Sequence, residues 1–154
     1  FVIGVMVPSR IPRTSASSDR EVVDSHVRSL MSDHLMDVPS SDRHTVKPWF
    51  QGKLNFSPPV LDLGANGFVL TGGRLDVVGG RPAAAIVYKR RGHIINLLVA
   101  PAEHPSDKLQ QSQLDGYHVV QWRTGALGYW AVSDLNAAEL GQFAELVRRE
   151  SAGR

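Results

Sequence analysis

The stretch FVLTGGRLDVVGGRPAAAIVYKRRGHIINLLV, residues 68–99, decides the fold. Apolar and β-branched residues dominate it, and short groups of Gly and Arg interrupt it at intervals of about ten residues, which is typical of strands joined by tight turns. Residues 68–78 predict the first strand, in which Gly72 and Gly73 indicate a β-bulge. Gly79, Gly80 and Arg81 together predict a hairpin turn.

The sheet continues on both sides of a second turn. Residues 83–89 predict the return strand, residues 90–92 the next turn, and residues 93–99 the third strand. Two later segments, residues 117–123 and 127–132, have the same apolar character and predict a fourth and a fifth strand. Because successive strands are joined by short turns, we expect them to form an antiparallel meander.

Two segments have the apolar spacing of an amphipathic helix. The first covers residues 20–36. The second begins after Asn136, a good N-cap residue that has Glu139 three positions further on, as in a capping box. The apolar positions of the two stripes are Val23, Val27, Leu30, Met31, Leu35 and Val38 for the first helix, and Leu140, Phe143, Ala144 and Val147 for the second.

The order of elements predicts an α+β domain: an antiparallel five-stranded meander sheet with an N-terminal and a C-terminal amphipathic helix packed on one face. We expect residues 1–19 to be a leader and linker, 20–150 a single domain and 151–154 a tail. The apolar residues 1–7 are either the stub of a membrane span, a remnant of cleavage or cloning, or an edge strand. Residues 42–66 and 101–115 are expected to be loops, since prolines in the former disfavour a helix interior and a central strand.

Composition excludes several classes of function. The 154 residues contain 17 basic and 15 acidic side chains and no cysteine, which removes disulfides, thiolate catalysis and Cys-type zinc sites. The net charge of +2 arises entirely within residues 1–20, and the remainder is balanced. A nucleic-acid partner is therefore not expected, because phosphate binding needs clustered cations.

The sequence lacks the common catalytic motifs for nucleotide, hydrolase and metalloprotease chemistry, so we expect no catalytic residues and no cofactor. A Ser57, His44, Asp62 triad could be assembled only in space, and no spacing supports it. The histidines of the first helix, His26 and His34, point in directions that are poor for joint metal binding. His44, with Asp33 or Asp42, could join them, but solvated or structural histidines are the simpler interpretation.

The loop at residues 44–60 is the best candidate for a binding surface. It mixes aromatic, cationic and proline residues, and such a long loop in a compact domain is usually functional or packed down by its own side chains. One interpretation is a lid over the sheet edge. The other is a ligand groove or partner surface for an acidic group, made by His44, Lys47, Trp49, Phe50, Lys53 and Phe56.

A resemblance to a known family extends over about residues 20–150. It is carried by residues 22–30 (VVDSHVRSL), 33–35 (DHL), 44–54 (HTVKPWFQGKL), 56–60 (FSPPV), 62–63 (DL), 72–76 (GGRLD), 80–82 (GRP), 83–88 (AAAIVY), 93–97 (HIINL) and 128–136 (GYWAVSDLN). Together these segments resemble the C-terminal part of bacterial transmembrane anti-sigma factors, which regulate extracytoplasmic-function sigma factors.

The resemblance implies a periplasmic sensory domain of a single-pass inner-membrane protein, anchored by a preceding membrane helix. The sigma factor would bind a cytoplasmic segment missing from this sequence, not this domain. No ligand or catalytic residue is carried over from the family. A homodimer is a further expectation, since the apolar helix stripe lies next to a linker. The alternatives are a periplasmic small-molecule or metal-binding module and, less favoured, a small hydrolase.

Overall fold

The computed structural model describes residues 15–31, 34–101 and 107–152, and it confirms the predicted α+β class. The predictions for residues 1–14, Asp33 and the end of the tail lie outside the described residues. The elements are α1 (Ser15–Met31), β1 (Val38–Pro39), α2 (Arg43–Gln51), a short 3-10 helix (Gly64–Asn66), β2 (Val69–Val78), β3 (Arg81–Arg90), β4 (His93–Pro101), β5 (Gln110–Leu114), β6 (Tyr117–Thr124), β7 (Leu127–Ser133) and α3 (Ala137–Ser151).

The sheet has seven antiparallel strands in the order β1-β2-β3-β4-β7-β6-β5, so the prediction of a five-stranded meander is wrong in two respects. The five predicted strands are present, but β1 and β5 were missed because one is two residues long and the other is polar. In addition, β4 pairs with β7 and not with the strand that follows it in sequence. The long connection after β4 carries the chain to the far edge, and the hairpins then return it to the centre.

The two faces of the sheet are covered by different helices. On one face, Val22 and Val23 of α1 pack against β3, β4, β6 and β7. On the other face, α2 and α3 bury Phe50 and Phe143 against the same strands. The domain therefore has three layers, and the prediction that both terminal helices share one face is wrong.

The sheet curves around α1. Arg20 forms an ion pair of 2.6 Å with Asp115 in the β5–β6 turn. Glu21, the next residue, accepts a hydrogen bond of 2.8 Å from the N–H of Gly79 in the β2–β3 turn. Because β2 and β5 lie near opposite edges, one helix reaches both only if the sheet wraps it. Small side chains on this face, such as Ala83 and Ala85, leave room for the helix.

α1 differs from its predicted form in both its bounds and its buried side. It begins at Ser15, within the predicted linker, and the predicted last turn at residues 34–36 is not helical. Leu30 and Met31 of the predicted apolar stripe are exposed, whereas Ser25, His26 and Ser29 are buried. The helix therefore turns a polar side toward the sheet, because the sheet presents polar partners there.

α2 lies where an irregular loop was predicted, and it contains Pro48. The prediction that proline excludes a helix here is wrong because Pro48 removes only one backbone hydrogen bond from a nine-residue helix. That loss is offset at the N-terminus, where Asp42 accepts a hydrogen bond of 2.8 Å from the N–H of His44. It is also offset by the complete burial of Val46 and Phe50.

α3 has the predicted cap. The side-chain oxygen of Asn136 accepts a hydrogen bond of 2.9 Å from the N–H of Glu139, and Leu135 and Leu140 on either side are buried. Within the described ranges, no helix is long and apolar enough to cross a membrane.

The bulge in β2 depends on two glycines, as the sequence predicts. The pairing with β3 shifts register between Leu70 and Gly72. A Cβ on Gly72 would lie 2.4 Å from the carbonyl oxygen of Val38, and one on Gly73 would lie 2.7 Å from Cζ of Phe50. These glycines let β1 and α2 approach β2 closely, and they set the position of Arg74, the next residue.

We expect Gly73→Ala to lower the free energy of unfolding by about 1–3 kcal/mol, the usual cost of overpacking a core. The added methyl group would collide with the ring of Phe50, which is fully buried. Urea unfolding followed by tryptophan fluorescence measures the change. Gly92→Ala is the matched control, since a Cβ there meets nothing within 4 Å. Equal stability of the two variants would contradict the close α2–β2 contact.

Candidate functional site

A buried polar network joins α1 to the sheet. We refer to it as the α1 network, and its members are Ser25, His26 and Ser29 of α1, Arg74 and Asp76 of β2, and Asn96 of β4. All except Asp76 are less than 5% exposed. Polar groups buried to this degree are stable only when they are hydrogen-bonded, so their mutual geometry is tightly constrained.

Arg74 is the centre of the network, and all three of its guanidinium nitrogens are used. Nε and Nη2 donate to a carboxylate oxygen of Asp76 at 3.2 and 3.0 Å, and Nη1 donates to Oδ1 of Asn96 at 3.1 Å. Nη1 also donates to the carbonyl oxygen of Leu35 at 3.2 Å. Arg74 thus holds two segments at the same point of the sheet: α1, through Ser25, and the chain just after α1, through Leu35.

Asp76 balances the buried charge of Arg74. Burial by itself raises the pKa of this carboxyl group, but hydrogen bonds from Ser25, from the N–H of Val77 and from Arg74 outweigh that effect and hold the pKa below its usual value. The pair is therefore ionised at neutral pH. Removing either member would leave the other charge buried without its counter-ion.

Asn96 connects Arg74 to the helix and fixes the protonation state of His26. Because its Oδ1 accepts from Arg74, its Nδ2 must point the other way, where it lies 2.6 Å from Nδ1 of His26 and 3.3 Å from Oγ of Ser29. Nδ1 of His26 must then act as the acceptor, which requires a neutral ring. A proton on Nδ1 would place two hydrogen-bond donors, this N–H and the Nδ2 group of Asn96, opposite each other. The Asn96 amide cannot rotate to relieve this without losing its hydrogen bond to Arg74.

Electrostatics favour the same neutral state of His26. Burial, and secondarily the positive charge of Arg74, lower the pKa of His26 from 6.5 to about 4, and Asp134 opposes this only weakly. The ring of Tyr117 also contacts His26 and meets the imidazole edge-on at 5.3 Å between centroids. Protonation of His26 would therefore open the α1 network.

The predicted binding residues do not form one surface. Phe50 lies on the buried side of α2, is fully buried in the core and has no surface for a ligand. Phe56 is half-buried against the same core. Trp49 packs edge-on against Phe50, and the Lys53 ammonium group lies 4.4 Å from the Trp49 ring centroid. The contacts of these four side chains support the interpretation of this segment as a lid that is packed down by its own side chains.

His44 and Lys47, in contrast, share a groove with a residue that the sequence analysis did not select. Arg43, His44 and Lys47 line it with Pro48, Gln51 and Val60, and its volume is about 200 Å³. We refer to this feature as the α2 groove. Arg43 could have been found from the sequence, because it stands one turn before Lys47 once this segment is recognised as a helix.

The side chains of the α1 network were also missed by the sequence analysis, although the sequence carries a signal for them. Arg74 and Asp76 alternate with apolar residues in a strand, and Asn96 interrupts the apolar run of residues 94–99. Polar residues at such positions are costly unless they meet partners, so they indicate a buried network.

The structure brings together neither the hypothetical triad nor the hypothetical metal site. No hydrogen bond joins His44 to Ser57 or Asp62 among the described residues, and Asp62 instead accepts from the N–H of Gly64 at 3.1 Å. In the same ranges, no three His, Asp or Glu side chains are close enough to hold a metal ion.

The comparisons with known proteins identify no relative of this chain. No protein-family model, curated protein or solved structure matches it. The α1 network and the α2 groove must therefore be interpreted from their own geometry.

The α1 network predicts a loss of stability in mild acid that depends on His26. The pKa is about 4 in the folded protein and about 6.5 in the unfolded chain. The contribution of neutral His26 is thus complete above pH 6.5 and lost as pH falls toward 4, with a slope approaching about 1.4 kcal/mol per pH unit. Unfolding by urea at a series of pH values measures the slope.

His26→Gln should lack this part of the pH dependence, whereas His34→Gln, a change at an exposed histidine, should keep it. Direct NMR titration of the His26 ring provides a second readout that does not require a stable variant. A ring that titrates near 6.5 in the folded protein would contradict the network geometry.

Proposed function

We propose that this chain is the periplasmic regulatory portion of a membrane-anchored anti-sigma factor that controls an extracytoplasmic-function sigma factor. The observation that carries the proposal is the convergence of three segments on which the resemblance rests. Residues 22–30 contribute Ser25, His26 and Ser29, residues 72–76 contribute Arg74 and Asp76, and residues 93–97 contribute Asn96 to the same α1 network.

In this proposal α1 is the element that transmits the signal, since a membrane span would precede it in the parent protein. A regulatory element needs two states of comparable free energy, and α1 has the contacts for this. Its apolar contact with the sheet comes from the buried Val22 and Val23 and the partly buried Val27, whereas three buried polar side chains, Ser25, His26 and Ser29, complete the described interface. Docking of α1 therefore depends on the α1 network.

The docked state is proposed to be the resting state. In this proposal the cytoplasmic segment sequesters the sigma factor by itself, and release requires an undocked α1 that acts on the membrane span. A signal acts by favouring the undocked state, and it can shift the equilibrium only by its difference in affinity for the two states. The sigma factor is proposed to bind the cytoplasmic segment of the parent, and this domain is proposed to work without catalysing a reaction. Homodimerisation through α1 stays a prediction, with Leu30 and Met31 exposed for such a contact.

A reporter gene on the sigma-dependent promoter tests the proposal in the full-length parent. Asn96→Ala should raise reporter expression severalfold without any inducing treatment. The loss of the Asn96 bonds to Arg74 and His26 costs about 1–3 kcal/mol, which is a factor of about 5 to 150 in the ratio of docked to undocked α1. Gln113→Ala, at an exposed position of β5, should leave expression unchanged.

A second variant separates regulation from repression. Deleting residues 20–154 while keeping the membrane span should preserve repression and abolish induction. Immunoblots must show equal amounts of each variant. If Asn96→Ala and the deletion both behave as the unaltered parent does, this domain has no regulatory role and the proposal fails.

A further inference from the structure

Positive charge is concentrated in the segment that contains α2 and the ten residues after it. Residues 43–61 contain Arg43, Lys47 and Lys53, together with His44, and no Asp or Glu. Of these, Lys53 is accounted for by its contact with the Trp49 ring. The other three line the α2 groove.

None of these three side chains has a hydrogen-bond or ion-pair partner among the described residues. Four arginines elsewhere in the domain, in contrast, form ion pairs: Arg20 with Asp115, Arg90 and Arg91 with Glu139, and Arg148 with Glu145. Like charges at positions i and i+4 of a helix repel each other, so Arg43 and Lys47 destabilise α2 slightly when nothing lies between them. An anion in the groove would reverse the sign of that interaction.

The groove is a side-chain site and does not depend on the helix N-terminus. The N–H of His44 is already occupied by the carboxylate of Asp42. What remains is a concave surface in which a guanidinium, an imidazole and an ammonium group occur together. Pro48 and Val60 provide an apolar wall, and Gln51 adds an amide.

Another groove of the described domain, which is larger than the α2 groove, is chemically different. Its volume is about 330 Å³, and it also contains arginines, Arg90 and Arg149. Glu145 lies in the same wall, however, and Arg90 is held by Glu139 and by the carbonyl oxygen of Asn66. This groove thus has a carboxylate in its own wall, whereas the lining of the α2 groove contains none.

We propose that the α2 groove binds the phosphate group of a small molecule. A guanidinium group binds two oxygens of a phosphate side by side, and an ammonium group adds a compact point charge. Arg43 and Lys47 take these two roles, and His44 donates a ring N–H to a third oxygen. A volume of about 200 Å³ accommodates the phosphate and a few further atoms, which contact Pro48 and Val60. This inference does not depend on the proposed regulatory function.

Two-dimensional amide NMR of the purified domain, titrated with inorganic phosphate at constant ionic strength, tests the proposal. We expect saturable shifts that are concentrated at residues 43–51 and 60. Arg43→Gln combined with Lys47→Gln should weaken binding by about tenfold or more, since two charge-assisted hydrogen bonds are lost. Lys89→Gln, at an exposed cation on β3, is the matched control and should bind as the wild type does.

For any probe, shifts that do not saturate, or that are the same in the double variant and in the wild type, count as a failure to bind, because both outcomes indicate general screening of surface charge. The amide spectrum also reports whether the double variant is folded, which we expect because neither Arg43 nor Lys47 is buried.

Two further probes distinguish the sources of the phosphate. Glycerol phosphate represents a soluble ester, and vesicles containing phosphatidylglycerol, compared with vesicles of phosphatidylcholine alone, represent a lipid headgroup. Binding of either one that requires Arg43 and Lys47 supports the phosphate site and identifies its source. Failure of inorganic phosphate and both of these probes to bind would overturn it.

Discussion

The buried guanidinium of Arg74 is the constraint on which the rest of the structure depends. A positive charge that is 1% exposed must have a counter-ion and a full set of acceptors, and these come from four parts of the chain. Asp76 supplies the charge, Asn96 and Leu35 supply carbonyl oxygens, and Ser25 brings the helix. The position of α1 on the sheet is therefore determined by polar contacts more than by apolar area.

The strand that carries Arg74 also contacts the helix on the other face of the sheet. Gly73, the residue before Arg74, packs against the Phe50 ring, so α2 contacts β2 on the face opposite to α1. If a ligand in the α2 groove shifted α2, the nearest part of the sheet to respond would be the strand that carries Arg74. The α2 groove and the α1 network therefore meet at one strand, and any coupling between them would pass through β2.

The sequence predicted those features that depend on local patterns. The three hairpin-linked strands, the bulge at Gly72 and Gly73 and the Asn136 cap are each encoded within a few neighbouring residues. The features that it missed depend on contacts between distant residues. The buried side of α1 is polar because Arg74 and Asn96 lie opposite it, and β5 is a strand because β6 offers it an edge. α2 forms despite Pro48 because Val46 and Phe50 have a core to enter. For the candidate site, the sequence predicts His44 and Lys47. It places Phe50 wrongly and does not indicate Arg43, because its prolines predict a loop where α2 forms.

Hydrogen exchange of backbone amides in the wild type and in Asn96→Ala tests the central claim most directly. If the α1 network holds the helix on the sheet, amides of α1 should exchange faster in the variant, while those of α3 on the opposite face keep their wild-type rates. Unchanged exchange in α1 would show that the apolar contacts suffice to dock it. Equal acceleration in α1 and α3 would show that α1 opens only with the whole domain, and either result would contradict the account.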